Sequence, residues 1–273
     1  MTRLTAIGEA YRASCLAELD ALKPGNVHAF ADGHRMATRD FVISAEVSAP
    51  HLARTGTRVG PRVRTAMEAT LAAVGQNTNL GILLLCAPLA LAAEAGTPLR
   101  AALAGVLDGL DGRDAAEVYA AIRLANPGGL GTAERHDVTG PGTPPALLTG
   151  MAEAAPRDAI ARAYVTGFAD LFDIGLPALA AARARELSAP WTTTAVFLAY
   201  LAGVPDSHVT RKHGLPVAEA LRAEAVDLLD LDLAVLPVDA LMAKDRAWKA
   251  AGLNPGTSAD FTVATLFLDH LLV

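Results

Sequence analysis

The polar clusters with the most chemistry to offer in this 273-residue chain fall in five short stretches between apolar runs. The densest, Pro205 to Gly214, reads PDSHVTRKHG and packs Asp206, Ser207, His208, Arg211, Lys212 and His213 together. A carboxylate beside hydroxyl and imidazole groups has the chemistry to hold a divalent ion, and Arg211 with Lys212 can neutralise phosphates. A charged helix-to-helix turn explains the same residues without a ligand. Lys23 to His28 reads KPGNVH. Pro24 and Gly25 stop a helix there, leaving Lys23 and freed backbone amides to meet an anionic oxygen. An ordinary helix stop with a solvated lysine also fits.

Gln76 to Gly81 reads QNTNLG and precedes the most apolar run in the chain. Asn77 or Thr78 can cap the helix that follows, and a buried helix N-terminus attracts anions through its free amides and dipole. Asn126 to Gly131, NPGGLG, is followed by His136 and Asp137. It lacks the strand of a dinucleotide-binding fold and the Gly-Lys-Ser/Thr of a P-loop, which leaves a lid or a plain surface loop. In Asn254 to Asp260, NPGTSAD, the spacing predicts Ser258 as a helix cap and Asp260 in the first turn, with Asn254 and Asp260 as polar site contacts. No nucleophile elbow and no HExxH occurs, and His28 and His34 do not share a helical face, so hydrolase and zinc-enzyme readings drop.

These stretches must be held by helices, because apolar residues recur with helical spacing and strand-like alternation is nearly absent. Ile160, Tyr164, Phe168 and Leu171 form one stripe, which predicts a helix over 157–174 ending at Gly175, with Asp158 and Arg162 projecting elsewhere. Thr97-Pro98, Asp114 and Ser258 mark further helix starts. The pattern predicts an all-α fold of about ten to twelve helices forming one domain over 1–273. Its two longest polar interruptions are Lys23 to Thr38 and Asn126 to Pro145.

Hydrophobic residues make up 52% of the chain and aromatics only 5%, so closely packed Ala- and Leu-rich helices are expected. A net charge of −6 argues against a nucleic-acid-binding module, which needs a basic footprint. Cys15 and Cys86 lie in apolar runs and read as buried, reduced thiols. The first twenty residues are amphipathic and charged, unlike a signal peptide. Leu80 to Ala93 is broken by Pro88 and is shorter than the roughly 20 residues of a membrane span. It reads as a buried central helix, and the chain as cytoplasmic, with no membrane partner. An Ala- and Leu-rich surface is compatible with a homodimer.

Taken in order, KPGNVH, Asp40-Phe41 with Ser44-Ala45, NTNLG, Gly175 to Pro177, PDSHVTRKHG and NPGTSAD resemble the triphosphoribosyl-dephospho-CoA synthase family. The resemblance runs from about Glu9 to Leu271. That family is all-helical and serves the prosthetic groups of citrate lyase and malonate decarboxylase. The resemblance implies a transferase that takes ATP and 3′-dephospho-CoA, releases adenine and uses Mg²⁺. It also implies phosphate contacts from Lys23, Arg211 and Lys212, and a wider nucleotide-binding set of Asn26, Asn77, Thr78, Ser207, His208 and Asn254. Asp206 and Asp260 would hold Mg²⁺, and Asp40 or Asp137 would be the catalytic base. The chain departs from citrate-type members, which tend to read KPGLVD at the first motif and to place His-Lys after the NT of the second. Here Gly25-Asn26-Val27-His28 and Asn79-Leu80 stand instead. That keeps two alternatives open: a related enzyme of one-carbon carrier cofactor synthesis, and a non-catalytic nucleotide sensor.

Overall fold

The computed structural model describes residues 3–96, 98–128, 137–140 and 143–273. Among them it contains fourteen α-helices, a π turn at Leu171–Gly175 and a 3-10 turn at Leu233–Val235. The helices are α1 (Arg3–Asp20), α2 (Thr38–Leu52), α3 (Val59–Val74), α4 (Leu80–Glu94), α5 (Leu99–Asp108), α6 (Gly112–Ala125) and α7 (Leu147–Ala154). They continue with α8 (Ala159–Val165), α9 (Leu176–Ala184), α10 (Ala189–Gly203), α11 (Ser207–His213), α12 (Leu215–Leu229), α13 (Val238–Ala250) and α14 (Gly256–Leu272). The fold is all-α as expected, with two helices more than the upper end of the expected range.

α4 is the axle. Its sequence is apolar all round, and a helix of that kind is stable only when wrapped on every side. α1, α2, α3, α5, α8 and α14 pack on it. A second core, around Phe197, Leu201, Leu221, Leu241 and Trp248, joins α10, α12 and α13. Among the described residues no single helix is long and apolar enough to cross a membrane. Cys15 and Cys86 are both buried and free.

The extra helices are short. α7 and α11 have eight and seven residues, too few to show a period, and Gly150 interrupts the first. The predicted 157–174 helix is broken instead of continuous. Its stripe does face the core, but Gly167 and Phe168 adopt left-handed φ values of 65° and 62°. Phe168 is thereby driven fully into the core. Burying that ring contributes about 2–3 kcal/mol, enough to offset the roughly 1–2 kcal/mol strain of the left-handed residue. Gly175 does not stop the helix, since the π turn runs directly into α9. Helix starts shift too: Pro98 precedes the first residue of α5, and Thr97 lies outside the described residues. Asp114 sits at the third position of α6, in a capping box with Asp111.

Gly175 is held by crowding, not by backbone conformation. A methyl group there would overlap both the Thr265 and Tyr200 hydroxyls, which hydrogen-bond to each other at 2.7 Å. Gly175→Ala is expected to lower stability by roughly 1–3 kcal/mol, the usual range for overpacking, as measured by urea unfolding. An unchanged midpoint would contradict this packing.

Candidate functional site

The helix ends converge on a cavity of about 870 Å³. Its polar wall comes from four places in sequence. The segment after α1 gives Asn26 and His34, and α1 itself gives Glu18. The start of α4 gives Asn77, Thr78 and Asn79. The α8 cap gives Asp158. α11 and the start of α14 give His208, Arg211, Lys212, Asn254 and Asp260. The opposite wall is more apolar, with Leu71, Ile82, Tyr119, Ile122, Met151 and Ile160.

Two Pro-Gly junctions dock to close the polar wall. Asn26 donates from Nδ2 to Asn254 Oδ1 at 2.8 Å. Gly25, at φ +82°, lies so near the second junction that a Cβ would stand 2.9 Å from Pro255 Cδ. Both its conformation and its surroundings therefore require glycine. Asp245 on α13 anchors this turn by accepting from the Gly25 amide at 2.9 Å and pairing with Lys249 at 3.0 Å. His28 Nε2 lies 3.3 Å from the same carboxylate oxygen without making a hydrogen bond.

The predicted site residues divide by what their polar atoms already hold. Asn26, Asn77, Thr78, His208, Arg211, Lys212, Asn254, Asp137 and Asp260 line the cavity. Lys23, Asp40, Asp206 and Ser207 do not. Lys23 is fully buried, and its ammonium bonds to Glu18 Oε1 at 2.8 Å and to the Glu18 and Val27 carbonyls. All three donors are engaged, so it braces Glu18 and does not reach a phosphate. Asp40 Oδ2 accepts from the Ala37 amide at the start of α2 at 3.0 Å and from Gln76 Nε2 at 2.9 Å. Ser207 Oγ accepts from the Ala159 amide at the start of α8.

Asp206 is the structural clamp of the site. Oδ1 accepts from the His208 and Val209 amides that open α11, and Oδ2 accepts from the Ser258 amide and hydroxyl in α14. Both oxygens are filled by the protein. Ser258 is therefore inside α14, which begins at Gly256, and does not act as its cap. Burial pushes the Asp206 carboxyl above the ordinary carboxylate range, against the pull of those donors. Asp260 differs: its carboxylate accepts no hydrogen bond among the described residues. It rests over Gly81 near the start of α4, where a side chain would overlap it. Burial, then Asp206 and Glu18, hold its carboxyl well above the ordinary range, while Arg211 pulls the other way.

Arg211 donates to Asp158 Oδ2 at 2.6 Å, while its buried Nε has no partner. Lys212 is exposed and makes no ion pair or hydrogen bond among the described residues. Asn77 Oδ1 accepts from the Leu80 amide at 3.1 Å, and Thr78 Oγ1 meets Ser44 Oγ at 2.6 Å. Asp137 Oδ1 accepts from the Thr139 amide and hydroxyl. The second half of NPGGLG, from Gly129, and His136 fall outside the described residues.

A profile of the ATP:dephospho-CoA triphosphoribosyl transferase family matches residues 4–273. The chain belongs to that family. Its membership makes it one of a family of transferases. No curated protein matches the chain. A solved structure from Archaeoglobus fulgidus, assigned as a triphosphoribosyl-dephospho-CoA synthase, resembles it with a TM-score of 0.65 at 22% identity. The alignment covers 84% of this chain and 97% of that one. At that identity the likeness speaks for the shared fold alone.

Sequence reading missed Glu18, His34, Asn79, Asp158 and Tyr119 as wall residues. Asp158 carried a signal, since an aspartate ahead of an apolar run is a cap; its second oxygen then pairs with Arg211. Glu18 carried none beyond its place five residues before Lys23.

His208 provides a test of this geometry. Burial, then the neighbouring Lys212 and Arg211, lower its pKa to about 3. A folded-state pKa below the unfolded value means that the unfolded chain binds the extra proton first. Its contribution to stability is full above about pH 6.5 and is lost as pH falls towards 3, by up to about 1.4 kcal/mol per pH unit. Without nucleotide, His208→Asn should flatten the loss of stability between pH 6.5 and 4.5, read by urea unfolding at each pH. An unaltered slope would show that the imidazole titrates freely.

Proposed function

We propose that the protein transfers the triphosphoribosyl group of ATP to the 2′-hydroxyl of 3′-dephospho-CoA, releasing adenine. One observation carries the reading beyond the family assignment: a cavity of nucleotide-like size sets Arg211 and Lys212 beside a carboxylate, Asp260, that the protein leaves without a hydrogen bond.

In the reaction the bond between C1′ and the adenine nitrogen breaks, and a bond forms from C1′ to the attacking 2′-oxygen. The hydroxyl proton passes to a base and adenine leaves with a proton in its turn. The triphosphate stays whole. The protein must therefore hold the phosphates without activating them for attack. Arg211 and Lys212 supply positive charge at the phosphates, and their side chains reach the cavity from the last turn of α11. Of the two aspartates that the sequence offers as the base, Asp137 lies on the cavity wall, whereas Asp40 lies off it, held by the Ala37 amide and Gln76.

A magnesium ion travelling on a triphosphate takes one or two protein carboxylates and fills its remaining positions with phosphate and water oxygens. Asp260 fits that demand, because it lacks both donors and a paired cation. Asp206 does not fit it, having four donors on its two oxygens. Bound there, the ion would offset the phosphate charge and favour the ionised form of the Asp260 carboxyl.

Purified protein incubated with ATP, Mg²⁺ and dephospho-CoA should release adenine, followed by chromatography. Asp260→Asn should lower kcat at least ~100-fold, a typical loss for a group that acts on transition-state charge. Lys212→Ala should mainly raise the KM for ATP. ATP binding without adenine release would overturn the transferase reading.

A further inference from the structure

The cavity has another end, away from Arg211 and Lys212. Tyr119 on α6 lines it together with Ile122, Gly150, Met151 and Ala154. Tyr119 is only 7% exposed, yet its hydroxyl meets no hydrogen-bond partner among the described residues. A phenol oxygen both donates and accepts, so it can pair with a ligand that enters the cavity. Gly150 on α7 lies directly beneath this oxygen, where a methyl group would overlap it. The hydroxyl is thus admitted to the cavity by a missing side chain, and it is left unmatched there.

Distance and lining select what could match it. Lys212 Cε stands 3.3 Å from the position a Cβ on Gly128 would take, so the Arg211–Lys212 side meets the chain just after α6. Tyr119 lies seven residues before Asn126, the residue that ends α6, which is roughly 10 Å along the helix axis. Around the phenol the lining is largely apolar, with Ile122, Met151 and Ala154, which suits a flat neutral ring better than a phosphate.

We propose that the Tyr119–Gly150 end binds the neutral purine base of the nucleotide whose phosphates lie against Arg211 and Lys212. The Tyr119 hydroxyl bonds a ring nitrogen, while Ile122 and Met151 supply the apolar surface for the ring. This rests on the nucleotide reading above. It assigns Tyr119 as a base-recognition residue and Gly150 as the spacer that gives the phenol room.

Calorimetric titration with ATP and with inorganic tripolyphosphate tests the assignment on wild type, Tyr119→Phe, Gly150→Ala and the double variant. Tyr119→Phe should weaken ATP about five- to tenfold, the worth of one hydrogen bond, and leave tripolyphosphate unchanged. Gly150→Ala should weaken ATP in the wild-type background and have little effect once the hydroxyl is gone. The proposal is overturned if Tyr119→Phe binds ATP as wild type does, or weakens both ligands equally, or if wild type binds no ATP. Adenine release in the same preparations separates the two readings. Turnover with ATP binding insensitive to Tyr119 removes the base site and leaves the transferase; Tyr119-sensitive ATP binding without turnover does the reverse.

Discussion

The four hydrogen bonds to Asp206 tie the start of α11 to the first turn of α14, and the polar wall of the cavity hangs from that joint. A carboxylate this deeply buried is tolerated only when its lone pairs are filled, and here the donors come from two elements about fifty residues apart. The joint fixes where α11 sends His208, Arg211 and Lys212, and how α14 presents Asp260. Asp158 extends it by capping α8 with one oxygen and pairing Arg211 with the other. Asp206 and Asp260 therefore differ. Asp206 is saturated and positions the wall; Asp260 lines the cavity and accepts no hydrogen bond among the described residues.

A second brace has the same character. Lys23 sits among apolar residues with its ammonium fully coordinated by one carboxylate and two carbonyls. Removing either member of the Glu18–Lys23 pair would strand a buried charge, the situation in which ion pairs matter most to stability. The KPG turn owes its lysine to the shape of the wall. The charge that meets solvent at the cavity comes from Lys212, far along the chain.

The helical class, the burial of α4 and the family were legible in the sequence because each depends on patterns over many residues. Periodicity averages out local exceptions, and an ordered set of motifs survives weak members. The roles of single residues were less legible. Asp206 and Asp260 look alike in sequence, each close to a helix start and within two residues of a serine. Only the fold shows that four donors converge on the first and, among the described residues, none on the second. Lys23 could not be separated from a solvated lysine without knowing that the α1 end is enclosed. The break at Gly167 and Phe168 escaped because a continuous apolar stripe is satisfied equally by one helix or by a helix and a π turn. Tyr119 gave no signal, being one aromatic on an ordinary amphipathic helix. Its significance depends on Gly150, thirty-one residues later in the chain.

The docking of the two Pro-Gly junctions has a kinetic side. The Gly25–Asp245 and Asn26–Asn254 bonds join residues 220 and 228 positions apart. The chain must close loops of that length, and lose the associated entropy, before either bond can form. The cavity therefore matures late, after the local helix pairs have assembled. A ligand that recognises only the finished wall selects molecules whose two distant segments have already met, and so acts as a check on completed folding as much as on composition.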